Sequence, residues 1–224
     1  MNDIAGVKQH PADRPTLDVQ RTLIVLAVWF FFAVWLGVSG ALNVQGGPPL
    51  AILATIVLPL IVYAVDGRAG HPLFGGLLRL DLSTLIAAQT FRVLGVVFIV
   101  AWLGGTLPGG FALPAGLGDI AVGLAAPFVA SAVSRRPDRL GPAWIFTVLA
   151  VADLVIAVSS GVLHGGPPLG LLAGPIRVDA LARYPLSLIP TFGVPLALLL
   201  HVRTFQTLRA RQTLRARANR PDLA

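Results

Sequence analysis

The chain has 224 residues, of which 55% are hydrophobic and 12% are charged, and its mean hydropathy is +0.80. A soluble domain of this length does not need so much apolar surface, so the composition indicates an integral membrane protein. No cysteine is present, which excludes structural disulfides, thiol catalysis and cysteine metal sites. Lys8 is the single lysine and lies outside every apolar stretch, so a retinal Schiff base within the membrane is also excluded.

Six apolar stretches follow a polar lead of residues 1–21, and each approaches or exceeds the length of about 20 residues that crosses ~30 Å of hydrocarbon. They cover residues 22–42, 48–65, 84–105, 110–133, 142–163 and 185–203. The sequence therefore predicts an all-α fold, a polytopic bundle of six transmembrane helices in residues 22–203. A basic cytoplasmic tail is predicted for residues 204–224.

The basic residues are distributed unevenly between the two sides of this predicted bundle. Fourteen of the 17 Lys and Arg residues fall on the side of the two termini, whereas the opposite side holds only Arg177 and Arg183. By the positive-inside rule, both termini are cytoplasmic and the protein lies in a plasma membrane or bacterial inner membrane. Topology thus explains the isoelectric point of about 11.4, and we expect no nucleic-acid binding.

A short sequence recurs in two of the connections between predicted helices. Residues 46–50 read GGPPL, and residues 165–169 read the same. Both copies follow a helix that runs outward, so an internal duplication would have parallel symmetry. Two similar Gly-Pro loops are the other interpretation, and five residues do not decide between them.

The long connection at residues 164–184 carries the pattern of a short helix. Pro175 can begin a helix, and Asp179 and Arg183 form an i, i+4 pair of opposite charge. One face of this segment carries Ile176, Ala180 and Tyr184. The pattern predicts a helix that lies flat at the outer interface of the membrane.

The last apolar segment and the tail have two further features. Proline recurs at Pro185, Pro190 and Pro195, and each can remove a helical hydrogen bond, so we expect a kinked and mobile helix. The tail then repeats the sequence QTLRAR at residues 206–211 and 212–217. We expect this arginine-rich tail to attract anionic lipid headgroups, at about 1 kcal/mol for each arginine near the surface.

Three ionisable residues lie in the middle of predicted spans: Arg92, Asp119 and Asp153. A charge at the bilayer centre costs about 2.5 to 3.5 kcal/mol on insertion scales, so each needs a partner or a water-lined cavity. Counting about 1.5 Å per residue from the turns near Leu107 and Pro137 predicts that the three lie within about one helical turn of the same depth. Gln89 shares a face with Arg92. The sequence predicts a buried polar cluster with one positive and two negative charges.

Glycine and proline are concentrated around Asp119 in the fourth predicted span. They give two interpretations: a broken helix whose exposed amides and carbonyls line a site, or small residues that let two helices pack closely. The candidates for helix breaks are Pro114, Gly116 and Gly118 in the fourth span, and Pro190 and Pro195 in the sixth.

Two short motifs resemble those of intramembrane proteases. The sequence Gly116-Leu117-Gly118-Asp119 resembles the GxGD element of intramembrane aspartyl proteases and prepilin peptidases, which implies paired aspartates that activate a water. In those families the partner aspartate precedes the element, whereas Asp153 follows it; Asp66 precedes it, but at the inner end of the second span. The sequence Gly37-Val38-Ser39-Gly40 resembles the GxSG serine of rhomboid proteases, which implies a dyad with His164.

These observations leave three hypotheses and no catalytic residue that the sequence alone identifies. The first is binding or translocation of a small solute or a proton through a polar cavity around the cluster. The second is a non-catalytic membrane subunit or scaffold, and the third is an intramembrane enzyme that uses the paired aspartates. We expect no cofactor and no metal site, because topology separates the four histidines, His10, His71, His164 and His201.

Overall fold

The computed structural model describes residues 14–43, 49–67 and 73–218, and within these ranges the chain forms helices and no strand. The α-helices are α1 (Arg14–Ser39), α2 (Leu50–Asp66), α3 (Gly75–Arg79), α4 (Leu82–Ala87), α5 (Val96–Leu103), α6 (Gly109–Arg135), α7 (Gly141–Leu163) and α8 (Val194–Ala218). A 3-10 segment (Ala88–Gly95) joins α4 to α5, a 3-10 turn (Val178–Ala182) follows α7, and a π segment (Ile189–Gly193) precedes α8. The all-α class is therefore confirmed.

Among the described residues, four helices are long and apolar enough to cross a membrane. They cover Thr16–Ser39, Leu82–Leu103, Gly109–Arg135 and Gly141–Leu163. These correspond to the first, third, fourth and fifth predicted spans. The second predicted span forms α2, which is apolar but has 17 residues. The sixth forms the π segment and the first part of α8. The four long helices are compatible with a protein embedded in a membrane.

The helices run between two ends of a bundle. The upper end carries residues 104–108 and 164–187, and the lower end carries residues 73–81 and 136–140. At the lower end, the carboxylate of Asp66 accepts hydrogen bonds from the backbone N–H groups of Leu73 (2.8 Å) and Phe74 (3.0 Å). Asp66 therefore ends α2 and fixes the chain that enters α3, far from the buried charges.

The boundaries of the predicted lead and tail differ from those of the helices. Helix α1 already begins at Arg14, inside the predicted lead, and α8 continues to Ala218, inside the predicted tail. Neither glycine nor proline occurs between Pro195 and Ala218, so nothing in this stretch stops the helix. Residues 1–13, most of the first GGPPL copy, His71 and residues 219–224 lie outside the described residues.

The prediction of a flat interfacial helix is wrong. The connection forms only the 3-10 turn, and its buried residues, Val178 and Leu181, pack against Phe98 and Phe111 in the upper core. Ile176 and Tyr184, which were predicted to share a helical face, lie before and after this turn and are 43% and 52% exposed. Burying residues three apart favours the i, i+3 spacing of a 3-10 coil. The Arg177 guanidinium, rather than that of Arg183, binds Asp179, at 2.9 Å.

Helix α6 lies at the centre of the fold and contacts α4, the 3-10 segment, α5 and α7. It runs without interruption through Pro114, Gly116 and Gly118, so the predicted break at these residues is wrong. Pro114 has no N–H for the carbonyl of Gly110, one turn earlier, and the Ser160 hydroxyl of α7 donates to that carbonyl at 3.4 Å instead. The small residues permit close packing, which is the other interpretation of the pattern.

Regular helix is lost in the neighbouring spans. The third predicted span changes to 3-10 geometry at Ala88–Gly95, and the sixth contains the π segment next to Pro190 and Pro195. Pro195 cannot donate to the carbonyl of Thr191, and the indole N–H of Trp29 in α1 donates to that carbonyl at 3.1 Å. A side chain from another helix thus supplies the hydrogen bond that the irregular backbone lacks.

Candidate functional site

The site is built around the guanidinium of Arg92, which the 3-10 segment holds between α6 and α7. Its Nε donates to Oδ1 of Asp119 at 2.7 Å, its Nη2 donates to Oδ2 of Asp153, and its Nη1 donates to the carbonyl of Ala150 at 3.1 Å. Arg92 is only 3% exposed and Asp119 only 8% exposed. The structure therefore brings together the three charged residues that the depth count places at similar heights.

Gln89 is buried beside this cluster but binds elsewhere. It is 1% exposed, and its side-chain amide donates to the carbonyl of Ala197 in α8 at 3.1 Å. Its Oε1 has no hydrogen-bond partner in the part of the chain that the structure describes. Gln89 thus ties the 3-10 segment to α8, whereas Arg92 ties it to α6 and α7.

Glycines make the close approach of these elements possible. A Cβ at Gly123 would lie 2.5 Å from the backbone nitrogen of Val93, and one at Gly118 would overlap the carboxylate of Asp153. A Cβ at Gly95 would likewise overlap the Cβ of Asp119. The charged cluster therefore needs three positions without a side chain, two on α6 and one at the end of the 3-10 segment.

Two cavities meet at Asp119. The smaller, of about 90 Å³, extends towards the upper end, where it is lined by Asn43, Gly165 and Asp179. The larger, of about 390 Å³, opens sideways between α1, the 3-10 segment and the π segment. Residues that line both cavities are Asp119, Leu154, Ile189 and Val194. The Asp119 carboxylate therefore forms part of the wall between the two spaces.

Apolar packing closes the bundle below the cluster. This lower core is formed by Leu82, Ile86, Ala126, Ala130, Val133, Leu140, Ala143, Phe146 and Leu208. Phe146 lies one turn below Ala150, whose carbonyl binds Arg92. Both cavities thus reach the charged cluster from above or from the side, while the path towards the lower end is filled by side chains.

The two irregular helical segments face each other across the larger cavity. Its walls include Phe91, Arg92 and Gly95 from the 3-10 segment, and Ile189 and Phe192 from the π segment. Segments of this kind within helices often mark functional sites. The prolines of the sixth span predicted a kink near the π segment, but no pattern in the sequence indicated the 3-10 segment.

The geometry departs from that of an aspartyl protease. Such a site needs two carboxylates that share a water, whereas here the Arg92 guanidinium lies between Asp119 and Asp153 and binds both. Asp66, the other possible partner, accepts its hydrogen bonds from the backbone at the lower end. The GxGD resemblance is therefore limited to the four residues of the motif.

The predicted dyad of Ser39 and His164 is not formed. The Ser39 hydroxyl donates to the carbonyl of Leu36 at 3.3 Å, and Nδ1 of His164 lies 2.9 Å from the carbonyl oxygen of Ser160. His201 is buried against Phe146, with ring centroids 6.3 Å apart. Within the described ranges, no group of three or more His, Cys, Asp or Glu residues could hold a metal ion.

Comparison with known proteins yields a family and no further relatives. No curated protein and no solved structure matches the chain. One family model, described as a domain of unknown function (DUF8737), matches residues 78–209, which is more than half of the chain. The matched region contains Arg92, Asp119 and Asp153, whereas α1 and α2 precede it. The chain therefore belongs to the DUF8737 family.

Proposed function

We propose that the protein binds or translocates a small solute or a proton through the cavities that meet at Asp119. The observation that carries this proposal is the position of that carboxylate, which is paired with Arg92 on one side and lines two cavities on the other. A purely structural ion pair has no need of such cavities. Buried ionisable groups that line a space inside a membrane domain are typical of solute and proton pathways.

The charges of the cluster do not balance. Arg92 contributes one positive charge, and the carboxylates of Asp119 and Asp153 contribute two negative charges when both are ionised. A net negative charge in a medium of low dielectric constant is costly, so the site is neutralised by a proton or by a bound cation. Proton-coupled binding requires a site of this kind, which releases a proton when it binds a cation.

The sixth predicted span supplies an element that can move. Ile189 and Val194 line both cavities, and they begin and follow the π segment. A shift between π and α geometry in this segment would change the separation of the two cavities without breaking the lower core. We therefore assign the opening and closing of the site to the π segment and the start of α8.

Six spans with both termini in the cytoplasm complete this proposal, in a plasma membrane or bacterial inner membrane. The lower end carries Arg135, Arg136 and Arg139, next to the end of α6, whereas the upper end carries Arg177 and Arg183. The positive-inside rule then makes the lower end cytoplasmic. In this arrangement α2 and the first part of α8 are the second and sixth spans.

We also propose that arginines in the C-terminal part of α8 bind anionic lipid headgroups. Arg215 is already engaged, since its guanidinium donates to the carbonyls of Asp138 (2.7 Å) and Pro137 (2.8 Å). Arg209 and Arg211 form no ion pair with the residues that the structure describes, and we assign them to the lipid surface. Substituting both with glutamine should weaken binding of the detergent-purified protein to anionic vesicles about thirtyfold relative to neutral vesicles, and equal binding would contradict the assignment.

The first experiment tests whether water reaches the cluster, and it uses the absence of native cysteine. Ala157→Cys places a thiol on the wall of the smaller cavity, and Leu149→Cys places one on the outer surface of the same helix. A membrane-impermeant maleimide should label the first from one side only and leave the second unlabelled, because thiol alkylation needs water. If folded protein is labelled at neither position, the cluster is sealed and the proposal is wrong.

The second experiment measures proton flux in proteoliposomes. Asp119→Asn removes the titratable group from the cavity wall, and flux should fall to the level of protein-free vesicles. The matched control is Asp138→Asn, whose side chain is 96% exposed at the lower end, and it should keep the wild-type rate. Flux that is equal in the two variants would refute a role for Asp119.

The second candidate function is that of a non-catalytic scaffold. It is favoured because each of the three nitrogen atoms of the Arg92 guanidinium already donates to an acceptor within the protein. Under that function the cluster only fixes the neighbours of α6. The triple substitution Arg92→Met, Asp119→Leu and Asp153→Leu should then fold and support the biological function as the wild type does. Under the proposed function, the same variant folds but loses flux.

A further inference from the structure

We propose that the larger cavity binds a monovalent cation that carries aromatic or aliphatic groups, with its charge beside Asp119. This inference rests on the proposed function, because it names the class of ligand for the same site. Three features of the site support it: the charge of the cluster, the chemistry of the cavity wall and the direction in which the cavity opens.

The charge of the cluster favours a positively charged ligand. An anion would need free hydrogen-bond donors, but Arg92 already donates to Asp119, Asp153 and the carbonyl of Ala150. In contrast, Oδ2 of Asp119 accepts no hydrogen bond from the residues that the structure describes. One positive charge placed there would neutralise the excess charge of the cluster, so a monocation is the matching ligand.

The residues of the cavity wall favour apolar groups around the charge of the ligand. Apart from Arg92 and Asp119, the residues that line the larger cavity are apolar, and three of them are Phe30, Phe91 and Phe192. Sugars and zwitterions would lose their hydrogen bonds to water against such a wall without replacement. Aromatic rings instead attract a cation through their faces and bury apolar substituents. At about 390 Å³, the cavity lies within the usual range of small-molecule sites, roughly 300 to 1,000 Å³.

The position of the cavity opening indicates the route by which the ligand enters. Phe30 of α1 is 37% exposed and Leu94 of the 3-10 segment is 64% exposed, and both line the cavity where it meets the outer surface of the bundle. The surface around the opening is apolar on both sides, since Phe31 of α1 and Val96 of α5 are also exposed. A lipophilic cation that partitions into the bilayer can therefore enter from the side.

The test measures binding of two probes of the same size and opposite charge to the purified full-length protein in detergent. Tetraphenylphosphonium should bind saturably, and tetraphenylborate should bind at least about tenfold more weakly, because the same wall then faces a charge of the wrong sign. Isothermal titration calorimetry gives both affinities. Equal affinities would overturn the inference, since they would show partition into an apolar space alone.

Two variants locate the bound cation. Asp119→Asn should weaken phosphonium binding at least about tenfold, with Asp138→Asn as its unaffected control. Phe192→Leu keeps all charges but removes one aromatic face, and it should weaken binding about fivefold, whereas Phe128→Leu, on the outer surface of α6, should not. If Asp119→Asn does not fold, the Phe192→Leu comparison decides, and unchanged affinity there contradicts the proposed site.

The outcome is separable from that of the proposed function. Absence of phosphonium binding, together with proton flux that depends on Asp119, would overturn the assignment of the ligand and leave the proposed function intact. Absence of maleimide labelling at Ala157→Cys would instead remove the aqueous access on which the proposed function depends.

Discussion

The region matched by the family model, residues 78–209, is held together differently from the N-terminal helices α1 and α2. In the matched region, α6 touches the 3-10 segment backbone to backbone at Gly123, and Arg92 joins three elements by hydrogen bonds. In α1, only 17% of the most apolar stretch is buried inside the protein, compared with 33% in α6. Helix α1 contacts the rest through the rings of Trp29 and Phe30, which pack on Phe192, and through a few polar groups and close approaches such as that at Gly37.

This difference indicates which interactions determine the neighbours of each helix in a chain of this composition. In a bilayer, lipid tails solvate Phe and Leu as well as another helix does, so apolar side chains alone do not select a partner. Close backbone contact and buried hydrogen bonds do. We therefore expect substitutions at these contacts to destabilise the matched region globally, and substitutions in α1 to release that helix locally.

The largest effect is expected for Arg92→Met. This change leaves the carboxylates of Asp119 and Asp153 buried without a positive partner, and removal of one member of such a group typically costs about 3 to 5 kcal/mol. Thermal unfolding in detergent should show a large drop in Tm. In the triple variant with Asp119→Leu and Asp153→Leu, most of the stability should return, because no charge is left unpaired. A single variant as stable as the wild type would show that water solvates the carboxylates.

Gly123→Ala should have the next largest effect. The added Cβ meets the backbone nitrogen of Val93 at 2.5 Å and the carbonyl carbon of Arg92 at 3.0 Å, and backbone atoms cannot turn away as a side chain can. Overpacking of this kind costs about 1 to 3 kcal/mol. The control is Gly141→Ala, where nothing lies within 4 Å of the new Cβ, and where Tm should stay the same or rise slightly. Similar losses of Tm in the two variants would contradict the packing argument.

Gly37→Ala tests the contact between the upper end of α1 and the turn after the connection. The added Cβ overlaps the hydroxyl of Ser187 and lies 3.3 Å from the backbone nitrogen of Tyr184, which donates to the Gly37 carbonyl at 3.2 Å. Because the hydroxyl can rotate, we expect a loss of about 1 kcal/mol. Hydrogen exchange should increase in α1 and remain unchanged in α6. The double variant with Ser187→Ala should recover part of the loss, and faster exchange in α6 would count against local release.

The smallest effect is expected for Trp29→Phe, which removes the hydrogen bond to the carbonyl of Thr191 that Pro195 leaves free. A typical hydrogen bond contributes about 0.5 to 1.5 kcal/mol. Exchange should therefore increase at the π segment and in the facing part of α1. Trp35→Phe is the control, because that side chain is 58% exposed. Among the described residues, the ring of Trp35 stacks only on that of Phe32. No difference between the two variants would show that the carbonyl finds another donor.

The buried charges show how far depth counting from loops can reach. The turns near Leu107 and Pro137 are short, so antiparallel neighbours keep a common register, and a long arginine side chain tolerates an error of one turn. That is why Arg92, Asp119 and Asp153 could be placed near each other from the sequence. Gln89 shares their region, but its amide turns to α8, because a shared helical face does not fix which neighbour a side chain meets.

The sequence was enough to predict the all-α class, the approximate positions of four long apolar helices and the proximity of one arginine to two aspartates. These follow from composition, the length of apolar runs and helical rise. Three features depend instead on how the helices pack: α6 stays continuous at Pro114, the irregular backbone lies at Ala88–Gly95 and Ile189–Gly193, and two cavities meet at Asp119. A carbonyl that proline leaves without a helical partner takes its hydrogen bond from whichever helix packs against it. A glycine likewise permits close approach of whichever helix lies beside it.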